Sequence, residues 1–177
     1  MKTCSLYGFI LALAGALLTL ALYFMGFHSD PAKLAAAKLI QNIGGLAIAV
    51  GVTAFGIRAR RAEVPESEDF GYGRALGAGA LISFVSAALS AVFTYAYNGF
   101  INPGFTEILV QDALDKAQAK GMSGAQLEQV EKFTRVIMGP GVMSVLVLVL
   151  GFVFGFIISL VVAAFLKRTA PAGPPKV

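Results

Sequence analysis

Four long stretches of the chain, residues 6–27, 39–57, 75–97 and 142–166, consist of apolar and small residues with almost no interruption. None of them contains Asp, Glu, Lys, Arg or His. A helix rises about 1.5 Å per residue, so about 20 residues cross a hydrocarbon core of about 30 Å. The pattern therefore predicts an all-α membrane protein, an antiparallel bundle of four transmembrane helices that forms a single domain over residues 1–168.

The first stretch has a competing interpretation as a cleaved signal peptide. Lys2 supplies a short basic segment, and Ala12-Leu13-Ala14 is similar to a cleavage site. However, apolar sequence continues well past that site, beyond the usual apolar region of about 7–15 residues in a signal peptide. We therefore expect the first stretch to be retained as a membrane helix.

The segment between the third and fourth stretches, residues 102–138, is the only sizeable polar part of the chain, and its apolar residues recur at helical spacing. Asn102 followed by Pro103 is typical of an N-cap residue and the first helical turn. Ser123 and Gln126, three positions apart, form a capping-box pattern that predicts the start of a second helix. The segment is predicted to be an amphipathic helical hairpin.

Helices as short as these are marginally stable in water, so other groups must cover their apolar faces. We expect the two helices to pack against each other. The bundle rim, the membrane surface or a partner protein could cover the rest, and the sequence does not choose among them. The final residues, 169–177, are rich in proline and predict a disordered tail.

Small residues recur at intervals of four on the third and fourth stretches. They are Gly79, Ser83 and Ala87 on the third, and Gly151, Gly155 and Ser159 on the fourth. Lipid tails are as apolar as leucine, so membrane helices associate through close packing and polar contacts, which small residues permit. We interpret these six residues as helix-packing surfaces. The alternative is a solute path lined by the hydroxyl groups of Ser86, Ser90 and Thr94 on the third stretch.

The composition agrees with a membrane protein, with 57% apolar and 14% charged residues and a mean hydropathy of +0.77. Soluble domains carry about a quarter charged residues. The net charge is +4, but the cations flank the apolar stretches and form no basic stripe with interleaved aromatics. This distribution fits phospholipid headgroups, so the expected partner is the lipid bilayer and not a nucleic acid.

The distribution of Lys and Arg predicts the orientation of the bundle. Eight of the 14 cations lie on the side of the two termini: Lys2, Arg58, Arg60, Arg61, Arg74, Lys167, Arg168 and Lys176. Short loops rich in Lys and Arg stay in the cytoplasm. We therefore expect both termini to be cytoplasmic and the 102–138 hairpin to be extracytoplasmic.

The tyrosines lie near the predicted ends of the stretches, at positions 7, 23, 72, 95 and 97. A tyrosine ring favours the membrane interface, where its apolar body is buried and its hydroxyl stays hydrated. We therefore expect all five rings at the two interfaces.

No pattern in the chain indicates a catalytic, cofactor-binding or metal-binding site. His28, Ser29 and Asp30 are adjacent, whereas the members of a triad must converge with a specific geometry, and three neighbours rarely provide it. They are also too few to hold a metal ion. Cys4 is the only cysteine, so an intramolecular disulfide is impossible. We expect no enzyme, no cofactor and no metal.

Several segments together resemble a family of bacterial four-span membrane proteins defined by a domain of unknown function, DUF4199. They include Phe70-Gly-Tyr-Gly-Arg-Ala75, Tyr95-Ala-Tyr-Asn-Gly-Phe-Ile-Asn-Pro-Gly-Phe105 and Gly139-Pro-Gly141. The resemblance covers residues 1–168 and is most marked from Phe70 onward. It implies a four-span architecture and a bacterial envelope setting, in which we expect the chain to lie in the inner membrane, and it brings no activity, ligand or catalytic residue.

Three functions are compatible with these features. The first is a non-enzymatic interaction, assembly or accessory protein of the cell envelope, acting as a homo-oligomer or with a membrane-protein partner. The alternative is an oligomeric channel or carrier for a small neutral or lipid solute. An enzymatic role would require Asn98, Asn102 or His28 to join the acidic residues of the hairpin around a lipid headgroup.

Overall fold

The computed structural model describes residues 1–170, and these residues form six α-helices. The helices are α1 (Lys2–Phe24), α2 (Leu34–Ala62), α3 (Tyr72–Ala96), α4 (Phe105–Ala119), α5 (Ala125–Ile137) and α6 (Pro140–Leu166). A 3-10 turn at Pro31–Lys33 precedes α2, and a π-helical turn at Tyr97–Ile101 extends α3. The predicted all-α fold is confirmed. Most of the predicted tail, from residue 171 onward, lies outside the described residues.

Four of these helices, α1, α2, α3 and α6, are long and apolar enough to cross a membrane. Each also presents large apolar side chains outward, for example Leu17, Phe55, Val92 and Phe154. Water-soluble proteins rarely expose apolar surface on this scale. The first predicted stretch extends beyond α1, because Gly26 adopts a φ of +77°, a conformation that ends the helix.

The four long helices run in alternating directions, so the bundle has two distinct ends. At one end, which we call the terminal end, Phe70 and Arg168 exchange two backbone hydrogen bonds of 2.9 and 2.8 Å. At the opposite, hairpin end, the Tyr23 hydroxyl donates to the carbonyl of Ile101. Within the bundle, α3 is central and packs mainly against α6 and α1.

The tightest core lies at the terminal end of the bundle. Its members include Ile57, Phe70, Ala75, Ile82 and Ala163, each at most 1% exposed. The side chain of Arg168 also donates to the carbonyls of Val64 and Pro65, at 3.0 and 2.8 Å. These contacts bring the loop between α2 and α3 together with the end of α6 and close the bundle there.

The small residues of α3 and α6 meet at one crossing of the two helices. A Cβ atom added to Gly79 would lie 2.6 Å from the Cβ of Ser159, and one added to Gly155 would lie 2.7 Å from that of Ser83. Neither position has room for a larger side chain. Farther toward the hairpin end, Gly151 lies opposite Ala87, with more space between them.

The hairpin formed by α4 and α5 rests on its own end of the bundle. Arg135 of α5 forms an ion pair with Glu107 of α4, which joins the two helices. On α4, Val110 and Ala117 are buried. Helix α4 packs mainly against α5, as the sequence predicted, and also touches the 3-10 turn before α2. Its Leu109 and Ala113 line a cavity between the hairpin and the bundle.

The predicted start of the first hairpin helix is wrong. Helix α4 begins at Phe105 and its N-cap residue is Gly104, so both Asn102 and Pro103 lie in the preceding turn. The physical reason is a competing partner: the amide of Asn102 donates to the hydroxyl of Tyr97, at 3.1 Å. An N-cap side chain must lie against the N–H groups of the first helical turn. The bond to Tyr97 directs the side chain of Asn102 elsewhere, across the preceding turn.

The predicted capping box of the second helix forms only in part. The side chain of Gln126 accepts from the backbone N–H of Ser123, at 3.4 Å, as the pattern requires. The N-cap residue, however, is Gly124, and no side chain caps the first turn of α5. The Ser123 hydroxyl therefore does not take the capping role that the sequence predicted.

Candidate ligand-binding cavity

A cavity of about 630 Å³ lies between the hairpin end of the bundle and helix α4. Its mouth includes Lys38, Asp112 and Lys116, and its inner limit is set by Gly15, Ser90 and Val147. Ser90 lies eight residues before Asn98 on α3, which corresponds to a depth of about 12 Å. The hairpin thus covers a slot that extends into the bundle.

The wall of this cavity is mainly apolar. Its apolar members include Ala16, Leu34, Ala37, Phe93, Leu109, Met143 and Val147. Apolar walls with a few placed polar groups are characteristic of small-molecule sites, whose volumes run from about 300 to 1,000 Å³. The size and lining of the cavity both match that class of site.

Near the mouth, the buried side chains of His28 and Tyr97 form a hydrogen-bonded network with the half-buried Asn102. The Nδ1 atom of His28 lies 2.6 Å from the hydroxyl oxygen of Tyr97, which also accepts from Asn102. His28 stacks on Phe105 of α4, with the ring centroids 4.6 Å apart. Tyr97 begins the π-helical turn, a distortion that is frequent at functional sites.

The environment of His28 favours its neutral form. Burial lowers the pKa of His28 from its ordinary value, because the charged ring would lose its hydration. The Tyr97 oxygen accepts from Asn102 and keeps a second lone pair and its own proton, so it can pair with either tautomer of the neutral ring.

Deeper in the cavity, the orientation of the Gln41 amide follows from its neighbour. The Thr19 hydroxyl donates its proton to the carbonyl of Gly15, at 3.1 Å, so its oxygen can only accept from Gln41. The amino group of Gln41 therefore lies toward Thr19, at 3.0 Å, and its Oε1 lies on the other side. That oxygen is buried and has no hydrogen-bond partner among residues 1–170.

Asn98 provides a second polar group without a partner. The residue is 5% exposed and lines the same cavity. Its Oδ1 accepts no hydrogen bond from any residue that the structure describes. A buried polar group left without a partner costs about 1–3 kcal/mol, and native structures contain few of them. Each of the two oxygens has less than 1 Å² of accessible surface, so neither is open to the cavity in this arrangement of the side chains.

An ion-pair cluster at the mouth joins the hairpin to the bundle. Asp112 of α4 accepts from Lys38 of α2 at 2.8 Å and from Lys116 of its own helix at 2.7 Å. Burial alone would raise the pKa of Asp112, but the bonds from Lys116 and Lys38 outweigh it and lower the pKa. The carboxylate therefore stays ionised at neutral pH and holds α4 against α2.

The candidate residues predicted from the sequence lie in two different places, the contact between α3 and α6 and the wall of the cavity. The six small residues, Gly79, Ser83, Ala87, Gly151, Gly155 and Ser159, belong to the α3–α6 contact and do not line the cavity. Of the hydroxyl row on α3, Ser90 and Thr94 line the cavity, whereas Ser86 does not.

Sequence reasoning missed Gln41, although a signal for it exists. Gln41 and Asn42 are the only amides within the four apolar stretches. A polar side chain in such a stretch is costly unless it has a partner or a function. That criterion would have selected both residues for attention, and the structure places one of them, Gln41, in the cavity wall.

A second depression, of about 490 Å³, lies at the terminal end beside Cys4 and Phe70. Its charged groups already have partners: Arg60 pairs with Glu63, and Arg74 with Glu68. It therefore offers less to a ligand than the cavity under the hairpin. Over residues 1–170, no three His, Cys, Asp or Glu side chains converge in a way that could hold a metal ion.

Comparison with known proteins gives the family of the chain. Neither the curated proteins nor the solved structures contain a significant match to it. One protein-family model, described as "Protein of unknown function (DUF4199)", matches residues 6–168, nearly the whole chain. The chain is therefore a member of the DUF4199 family.

Proposed function

We propose that this protein is a non-enzymatic membrane protein that binds a small neutral or lipid solute in the cavity under its hairpin. The observation that carries the proposal is the cavity itself, which has a volume of about 630 Å³ and a mainly apolar wall with a few polar side chains. Its location and chemistry suit an amphiphile taken from a bilayer.

The proposed setting is the bacterial inner membrane. Both termini are cytoplasmic in this proposal, because most Lys and Arg near helix ends lie on their side. The hairpin and the mouth of the cavity would then be extracytoplasmic. A solute would enter from the outer leaflet or from the space beyond it.

A binding role is preferred to an enzymatic one because the acidic and basic side chains of the cavity are already bonded to other residues of the protein. His28, Asn98 and Asp112 do line one cavity, which is the condition that an enzymatic role requires. However, His28 is committed to Tyr97, and Asp112 is held ionised by two lysines. Of these two residues, only Nε2 of His28 remains to exchange a proton with a solute, and a single such group favours binding over catalysis.

Filling the cavity tests the proposal. Ala113→Phe on α4 places a large ring in the cavity wall, whereas Ala119→Phe makes the same change at an exposed position of the same helix. Native mass spectrometry of protein released from its own membrane should show a bound small molecule in the wild type and in Ala119→Phe. It should be absent from Ala113→Phe. Equal occupancy in all three proteins would contradict the proposal.

The second candidate is the role of an interaction, assembly or accessory protein, and one separate observation supports it. On α5, Phe133 and Val136 are 68% and 63% exposed. A homo-oligomer with twofold symmetry could bury this surface on both copies. Phe133→Gln should then convert an oligomer to a monomer in size-exclusion chromatography with light scattering. A wild type that is already monomeric in mild detergent would retire this role.

A further inference from the structure

We infer that the cavity under the hairpin takes a single-chain lipid whose head carries one negative charge, held by Lys38 and Lys116 at the mouth. This inference rests on the proposed function and names the class of solute within it. The chain of the lipid would fill the apolar slot, and its head would lie between helices α2 and α4. Neutral amphiphiles with the same chain would bind less tightly.

The first step is the charge of the cavity lining. Three of the lining residues, Lys38, Lys116 and Asp112, carry charged side chains at neutral pH, and all three lie at the mouth. His28 also lines the cavity, but burial lowers its pKa and favours the neutral ring. Two positive charges and one negative charge leave the mouth with a net charge of +1. A head with a single negative charge would balance it.

No second carboxylate balances the two lysines. Among the residues that the structure describes, Lys38 and Lys116 each form one ion pair, in both cases with Asp112. The two other acidic residues of α4 bond to different side chains: Glu107 to Arg135, and Asp115 to Gln111. Within residues 1–170, no carboxylate therefore compensates the remaining positive charge at the mouth.

The second step is the accessibility of the two ammonium groups. The side chains of Lys38 and Lys116 are 50% and 62% exposed, whereas that of Asp112 is only 17% exposed. An ammonium group has three N–H donors, and each lysine uses one of them on Asp112. The two nitrogens lie 2.8 and 2.7 Å from the same carboxylate, so one small head can contact both. Both lysines thus keep donors that a ligand can reach.

The third step is the apolar slot beside the lysines. On α4, Lys116 shares one side of the helix with Leu109 and Ala113, which also line the cavity. The wall continues from there to Gly15 and Val147, and most of it is apolar. A volume of about 630 Å³ is typical of a site for one small molecule, so it suits one acyl chain. A single-chain anionic lipid matches both the charge of the mouth and the slot behind it.

The test compares four probes with the same acyl chain, in two pairs. Myristate is paired with monomyristoylglycerol, and myristoyl-lysophosphatidylglycerol with myristoyl-lysophosphatidylcholine, and only the first member of each pair has a net negative charge. Affinities are measured by native mass spectrometry on the full chain in a neutral maltoside detergent at about pH 8, where a carboxyl group is ionised. We expect the wild type to bind the anionic member of each pair about fivefold more tightly, as for a partly exposed ion pair.

A matched pair of variants assigns this preference to the mouth. Lys116→Met removes one positive charge and leaves Lys38 and Asp112 balanced, so the preference should be lost while the affinity for monomyristoylglycerol stays the same. Lys132→Met is the control, because Lys132 also pairs with an acidic residue one turn earlier on its own helix but does not line the cavity. The control should keep the preference of the wild type.

The outcomes separate the two proposals. If none of the four probes binds, the proposed function itself fails. If the members of each pair bind equally well to the wild type, the function stands and the anionic head is overturned. A preference within one pair only would support the inference and identify the head as a carboxylate or a phosphodiester. A preference that persists in Lys116→Met would overturn the role of the lysines. The wild-type comparison decides even if Lys116→Met fails to fold.

Discussion

Ser83 of α3 and Ser159 of α6 lie opposite each other, with their hydroxyl oxygens 3.3 Å apart. Each hydroxyl donates to the carbonyl of the glycine one turn earlier on its own helix, at 2.9 and 2.8 Å. Each serine also packs against the glycine of the other helix, which makes the contact reciprocal. The two hydroxyls are thus used within their own helices, and close packing accounts for the association.

The reciprocal contact predicts a strong effect of a larger side chain at Gly155. Gly155→Leu should lower the free energy of unfolding by about 1–3 kcal/mol or more, because overpacking forces the helices apart. The measurement is the melting temperature in mild detergent. Gly51→Leu serves as the control, since a Cβ at Gly51 would meet nothing within 4 Å. A Gly155→Leu variant as stable as the wild type would show that the crossing does not hold the bundle together.

The buried network predicts that two neighbouring tyrosines respond differently to loss of a hydroxyl. Tyr97→Phe leaves His28 and Asn102 without their shared partner and should cost about 1–3 kcal/mol of stability. Tyr95→Phe, two residues earlier and exposed, should be close to neutral. Thermal unfolding of the two variants checks this. Similar melting temperatures for both would refute the structural role of the network.

The lowered pKa of His28 predicts a dependence of stability on pH. Since the folded state favours the neutral ring, its contribution is complete above the ordinary histidine pKa of about 6.5 and is lost as the pH falls through the lower pKa of the folded state. The ionisable groups nearest to it are Tyr97 and Asp30.

The corresponding experiment follows melting temperature between about pH 8 and about pH 5. The wild type should lose stability toward the acid end, and His28→Gln should lose less. The pKa of Asp112 lies below its ordinary range, so its ion pairs persist throughout these conditions. Parallel curves for the two proteins would assign the acid sensitivity to some other group.

The ion pair at the mouth predicts how firmly the hairpin is held. Lys38→Met removes the link between α2 and α4, and because the pair is partly exposed we expect a cost of only about 0.5 kcal/mol. Amide hydrogen exchange should nevertheless become faster in α4 and α5 than in the bundle. Lys132→Met breaks a pair within α5 and should leave exchange in α4 unchanged. If amide hydrogen exchange in α4 and α5 is the same in Lys38→Met as in the wild type, the Lys38–Asp112 ion pair does not hold the hairpin against the bundle.

The four long helices could be predicted from the sequence, because their apolar pattern depends on local composition alone. Polar contacts between segments could not. Tyr97 was expected to keep its hydroxyl hydrated, yet the residue is 3% exposed and its hydroxyl bonds to His28. Asn102 was predicted to be an N-cap residue, but its side-chain amide donates a hydrogen bond to the hydroxyl of the same tyrosine. Position near the end of a helix does not determine the side on which a residue lies.

The candidate cavity was unpredictable for a related reason. Its wall combines residues from all six helices, so most of its polar groups come from separate parts of the chain. Gln41 has a visible signal as an amide in an apolar stretch, but its bond to Thr19 joins α2 to α1. Only the packed bundle brings these two residues together.

The two ends of the bundle differ in how closely they are packed, which limits the routes that a solute could take. The core around Phe70 and the backbone pairing with Arg168 close the terminal end, and the cavity lies toward the opposite end, against the hairpin. In the proposed binding role, a solute would therefore have no passage through the terminal end. Net movement of that solute to the opposite leaflet would need another protein or an expenditure of energy elsewhere.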